Sequence, residues 1–101
     1  MNQGYGLTKL QQQQLLNTLQ QFPAIESAIL FGSRAKGTMH KRSDIDLAIT
    51  GETMDRHQLA LLMMAFDESD LPFQVDVKLL ADIQSPALLE HISRVGKRIY
   101  P

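Results

Sequence analysis

The chain has 101 residues, 44% of them hydrophobic, and a formal net charge of −1. This predicts one compact domain over 1–101, with space for one core and none for a second, and no linkers or repeats. With no cysteine, disulfides and thiolate zinc sites are excluded, and a charge so near balance argues against a dedicated nucleic-acid binder, which would carry a basic face. The amino terminus lacks the pattern of a signal peptide and no apolar run reaches membrane-spanning length, so a cytoplasmic protein is expected.

In chain order, Thr8 with Gln11 forms a capping box, and Leu15, Leu16, Leu19 and Phe22 make one apolar helix face before Pro23 stops it. The glutamines from Gln11 to Gln14 read as a solvated face of that helix, since Gln is a good helix former. Residues 26–31 read as a strand ending at Gly32, and Ser33 to Lys36 as one or two helical turns broken by Gly37. A second strand is expected over 45–50. Asp55 with Gln58 caps a long helix that should bury Leu59, Leu62, Met63 and Phe66. A third strand is expected over 72–79, then a helix with Ser85 and Pro86 at its start and Gly96 at its end. The order helix, strand, short helix, strand, helix, strand, helix implies an α/β (α+β) layer arrangement, a small sheet with helices packed on it.

Two motifs carry chemistry. At Gly32 the chain turns without a Cβ, which permits unusual backbone angles and close approach of a ligand. Free N–H groups where the next helix starts, the Ser33 hydroxyl and the nearby Arg34 and Lys36 suit a polyphosphate; an ordinary connection capped by Ser33 is the plain alternative. Ten residues further on, Asp44 and Asp46 alternate with Ile45, Leu47 and Ile49, so both carboxylates leave one face of a strand. Side chains two apart on a strand lie roughly 6.5–7 Å from each other, a span from which two acids can share a pair of ions about 3.5–4 Å apart. Such carboxylates repel unless a cation lies between them, and an all-oxygen donor set favours Mg²⁺ or Mn²⁺ over zinc.

Asp76 fits the same plan. Phe73, Val75, Val77 and Leu79 alternate with Gln74, Asp76 and Lys78, which puts Asp76 on a polar strand face. If that strand neighbours the first acidic one, three carboxylates converge; otherwise Asp76 is a partner for Lys78 or Arg42. A phosphate grip beside paired metal-binding acids points to nucleotidyl transfer.

Other motifs fail. Gly32 and Gly37 have P-loop spacing, but Thr38-Met39 stands where Lys followed by Ser or Thr is needed. A serine hydrolase would need the Gly-x-Ser-x-Gly elbow, which is missing. His40, His57 and His91 have no metal-ligand spacing and read as surface or helix residues. Lys36, Lys41 and Arg42 form a basic cluster too short for duplex binding but suited to a triphosphate or a leaving pyrophosphate.

The run Gly32-Ser33-Arg34-Ala35-Lys36-Gly37 followed by Ser43-Asp44-Ile45-Asp46-Leu47-Ala48-Ile49, with Val75-Asp76-Val77 as third acidic strand, resembles the signature of the polymerase-β-like nucleotidyltransferases. Within that superfamily it is most similar to the minimal nucleotidyltransferases (MNT), over nearly the whole chain. The resemblance implies Asp44, Asp46 and Asp76 as catalytic and metal-binding acids for two Mg²⁺ or Mn²⁺ ions, and Gly32, Ser33, Arg34, Lys36 and Ser43 as nucleotide-binding residues. It implies transfer of a nucleoside monophosphate, AMP from ATP, to an acceptor hydroxyl.

An acceptor site is not apparent in the sequence. Family resemblance implies that a small helical HEPN-domain protein brings the acceptor, a tyrosine, in an antitoxin-type pairing. The expected interface runs from Gly37 to Arg42 and along the last helix through Leu88, Leu89, Ile92 and Val95, which alternatively all pack on the sheet. Rival readings are a non-catalytic nucleotide-binding or neutralising subunit, or a transferase acting on RNA ends or a small molecule.

Overall fold

The computed structural model describes residues 6–37 and 44–101. Its first helix, α1 (Lys9–Gln20), starts at the expected box, where Thr8 Oγ1 accepts the Gln11 N–H and Gln11 Oε1 accepts the Thr8 N–H, each at 3.0 Å. Strand β1 (Ser27–Phe31) leads through Gly32 into the single-turn α2 (Ser33–Lys36), and strand β2 is Ile45–Thr50. Helix α3 (Arg56–Asp67) is capped by Asp55, whose Oδ1 accepts the Gln58 N–H at 2.8 Å. Strand β3 (Val75–Leu79) runs into a 3-10 turn at Leu80–Asp82; helix α4 (Pro86–Val95) and strand β4 (Lys97–Tyr100) close the chain.

The sheet order is β3-β2-β1-β4, with β2 parallel to β3 and β1 antiparallel to both β2 and β4. Alternation along β2 assigns its two faces. Ile45, Leu47 and Ile49, at most 1% exposed, join Leu15 and Leu19 of α1 and Leu62 and Phe66 of α3 in the main core. Asp46, Ala48 and Thr50 face the other way, where Phe31, Ala48 and Ile92 form a smaller cluster under α4. Helix α4 therefore covers the middle of the acidic face, over Phe31 and Ala48.

Several expectations need correction. The third strand begins at Val75 rather than at residue 72; Pro72 has no N–H to give a ladder, and Leu71 and Phe73 instead pack against the core margin. Strand β4 was not expected, because four residues opening with exposed Lys97 and Arg98 show no clean alternation. It forms because the free edge of β1 supplies a partner, and its cations protect the new edge from further pairing. Met63, expected inside, is 43% exposed. Gly96 ends α4 with φ −60° rather than in a left-handed cap; a Cβ there would run into the Ile92 carbonyl and Ile29.

Candidate active site

The backbone at Gly32 takes φ 79° and ψ −156°, a region that residues with a Cβ rarely enter. A Cβ would also overlap the Asp46 carboxylate. Glycine is required here twice over, by its angles and by the acid packed against it. The turn is fixed from a second side as well, because the Gly32 N–H donates to His91 Nε2 of α4 at 3.0 Å. Helix α2 then starts without a side-chain cap, so Ser33 is its first residue and not its capping residue, and Gly37 closes it with φ 81°.

The neighbouring-strand condition for the third acid is met. Asp46 and Asp76 are register partners on parallel β2 and β3, and their Cα atoms therefore sit about 4.8 Å apart. Asp44 lies one residue before β2 and is exposed. Even so, among the described residues no group of three acidic or histidine side chains is drawn close enough to hold an ion, so convergence of the three acids is only partial. Asp76 Oδ2 lies 3.5 Å from Lys78 Nζ. The pairing weighed for Asp76 in the sequence is thus present, between half-exposed side chains, where an ion pair contributes little.

The electrostatics single out Asp46. Burial raises its pKa above the ordinary range, with Asp76 and Asp44 adding to the rise and Lys78 and His91 opposing it. Asp44, Asp46 and Asp76 all offer hard carboxylate oxygen, the donor type that divalent cations such as Mg²⁺ prefer.

Arg34 departs from the picture of a surface cation. It is 1% exposed, with its guanidinium 4.6 Å from the centre of the Phe73 ring. Burial lowers its pKa, and the charge of Asp44 acts in the opposite direction. The residue thus ties α2 to the chain before β3 and faces the first acid electrostatically. Lys36 is exposed. Ser43, Lys41 and Arg42 lie outside the described residues, as does most of the expected interface from Gly37 to Arg42.

His91 was missed in the sequence. Its only signal is placement, next to Ile92 and three residues after Leu88, on the border of the apolar face that α4 lays on the sheet. Its ring meets Phe31 edge-on, with centroids 6.2 Å apart at 80°. Of the four apolar residues expected on α4, Ile92 is buried, Leu88 and Val95 are half-buried and Leu89 is 38% exposed.

A family model described as Polymerase beta, Nucleotidyltransferase matches residues 13–101. A curated relative from Haemophilus influenzae, named "Probable protein adenylyltransferase MntA", is 47% identical over 60 residues, 58% of this chain and 53% of that protein. The chain thus spans about half the length of that relative. Among solved structures, one described as a toxin–antitoxin with AMP-PNP superposes with a TM-score of 0.71 at 28% identity, covering 88% of this chain and 72% of that one. A variant of a toxin–antitoxin described as MntA-HpeT gives a TM-score of 0.67 at 30% identity, covering 85% and 68%.

Proposed function

The chain belongs to the polymerase-β nucleotidyltransferase family, in its minimal branch, and from that premise we propose that it transfers AMP from ATP to a tyrosine hydroxyl of a HEPN-domain partner, in an antitoxin role. The observation that carries this reading is the register pairing of Asp46 with Asp76 beside a glycine turn packed on the Asp46 carboxylate. Chemistry and grip then share one sheet end. The relatives described as an adenylyltransferase and as a toxin–antitoxin with AMP-PNP support the donor and the pairing.

In the proposed reaction the acceptor oxygen attacks the α-phosphorus, a new P–O bond forms, and the bond to pyrophosphate breaks in line. Divalent ions, Mg²⁺ by preference for oxygen ligands, would supply charge neutralisation at the attacking and leaving oxygens. Asp46 from β2, and Asp44 from just before that strand, would hold those ions. Asp76, on the acceptor side, holds the proton-accepting position for the hydroxyl. Ser33 binds the outer phosphates with its hydroxyl. Gly32 contributes its conformation, since its own N–H is already taken by His91. Lys36 neutralises the triphosphate from solvent, and the Ser43 hydroxyl is a further candidate for a phosphate contact. Arg34, buried beside Phe73, supplies a positive charge within electrostatic reach of Asp44.

The test is incubation of the chain with labelled ATP, Mg²⁺ and its co-purifying partner, followed by mass spectrometry of the partner. Added AMP on tyrosine is the expected result. A partner bound tightly but left unmodified would replace this reading with that of a neutralising subunit. Leu89→Glu, on the exposed flank of α4, should weaken the pairing without lowering Tm.

A further inference from the structure

We propose that His91 is a positioning residue for the nucleotide-gripping turn: through Nε2 it holds the Gly32 amide and so presets the turn that receives the phosphates. The inference rests on the nucleotide-binding reading above. Gly32 sits at φ 79°, and such a conformation persists only where its surroundings over-determine it. Two contacts from different elements do so. The Asp46 side chain packs where a Cβ would be, and His91, 59 residues away in sequence, takes the N–H at 3.0 Å.

His91 is itself firmly placed. Its ring stands edge-on to Phe31, and the next residue, Ile92, is 6% exposed within the cluster of Phe31 and Ala48. An acceptor at Nε2 means the ring's proton is on Nδ1. The neighbouring amides of α2 have no side-chain cap to steer them, so the orientation of this turn depends on the glycine anchor. Helix α4, which supplies no acidic residue to the site, thereby sets the pose of the phosphate grip.

Two variants separate the acceptor from the shape. His91→Phe keeps an aromatic edge against Phe31 but removes the acceptor, and His91→Gln returns an oxygen acceptor at similar reach. Amide exchange of Gly32, followed by NMR on the full chain without ligand, should quicken roughly 3- to 10-fold in H91F, as expected for loss of one hydrogen bond, and return toward wild type in H91Q. Calorimetry with ATP and Mg²⁺ should show affinity falling by a similar factor in H91F and recovering in H91Q. In the transfer assay, KM for ATP should rise by more than kcat falls.

Wild-type affinity in H91F, or equal loss in both variants, would overturn the proposal. If wild type binds no ATP, the nucleotide reading fails. A Gly32 amide that still responds to H91F would then mark a purely structural bond, overturning the positioning role as well.

Discussion

The two faces of β2 differ in how completely each is satisfied. On one, Ile45, Leu47 and Ile49 are enclosed by α1 and α3. On the other, the strand passes from Asp46 through Ala48, sealed under Ile92, to Thr50, whose hydroxyl pairs with that of Ser27. Only the acidic end is left in conflict, with Asp46 beside Asp76 and near Asp44. The lesson is that packing and charge are divided across a single strand, and alternate residues should respond to substitution in opposite ways.

The largest effects should test that division directly. Leu47→Ala leaves a hole at a site with 0% exposure and should cost about 2–5 kcal/mol of stability, read as a large fall in Tm. Under the proposed reaction, Asp46→Asn should lower AMP transfer by at least about 100-fold, since it would remove several kcal/mol of charge stabilisation at the phosphorus. In chelator, however, its Tm should equal or exceed wild type, because the repulsion is gone. With ATP and Mg²⁺ the order should reverse, as ligand binding stabilises only the protein that can hold it. A destabilised Asp46→Asn in chelator would mean the acid is a structural residue.

Gly32→Ala is the next step down. The strain of its φ and the overlap with Asp46 should together cost about 1–3 kcal/mol. Combining it with Asp46→Ala should recover part of that loss by removing the overlap, and leave the rest as backbone strain. Strict additivity of the two, measured by denaturant unfolding, would show that the turn and the acid are not packed together.

A smaller signal should appear on titration. The Asp46 pKa lies above its ordinary 3.8, chiefly through burial and then through Asp76 and Asp44. The folded chain therefore holds this proton more tightly than the unfolded one. Without metal, stability should fall as pH rises from 3.8 through the raised pKa, and return on acidification. Because Asn does not titrate, the Tm of Asp46→Asn minus that of wild type should grow with pH across this window and vanish below it. A difference independent of pH would remove Asp46 from the conflict.

The acidic end was legible because strand alternation is local: Asp46 and Asp76 announce their face by period, and Gly32 announces a turn, although Asp44, expected on the same strand face, lies just before the strand. Helix starts were equally plain at Thr8, Asp55 and Ser85, where a side chain and an amide three residues on are enough. What stayed hidden depends on distant partners. Strand β4 exists because β1 had an open edge, and His91 reaches the site because α4 folds back over Phe31. The burial of Arg34 over Phe73 was likewise invisible, since a cation in a short helical turn looks solvated until the chain before β3 is placed against it.

The smallest predicted effect concerns a misjudged pair on α3. Leu62 and Met63 are adjacent and both apolar, and helical period alone allowed the buried face to include both. The structure separates them, with Leu62 at 0% and Met63 at 43% exposure, because α3 offers the sheet a stripe defined by Leu62 and Phe66 four residues apart. Met63→Lys should then change stability by no more than about 0.5 kcal/mol, as lysine can lay its methylenes along the helix and keep its charge in water. Leu62→Ala, one residue away, should cost about 2–5 kcal/mol. Chemical denaturation of the two variants side by side makes the comparison. A Met63→Lys variant that loses stability on the scale of Leu62→Ala would show that α3 is rotated toward Met63, and with it the assignment of the closed face of the sheet.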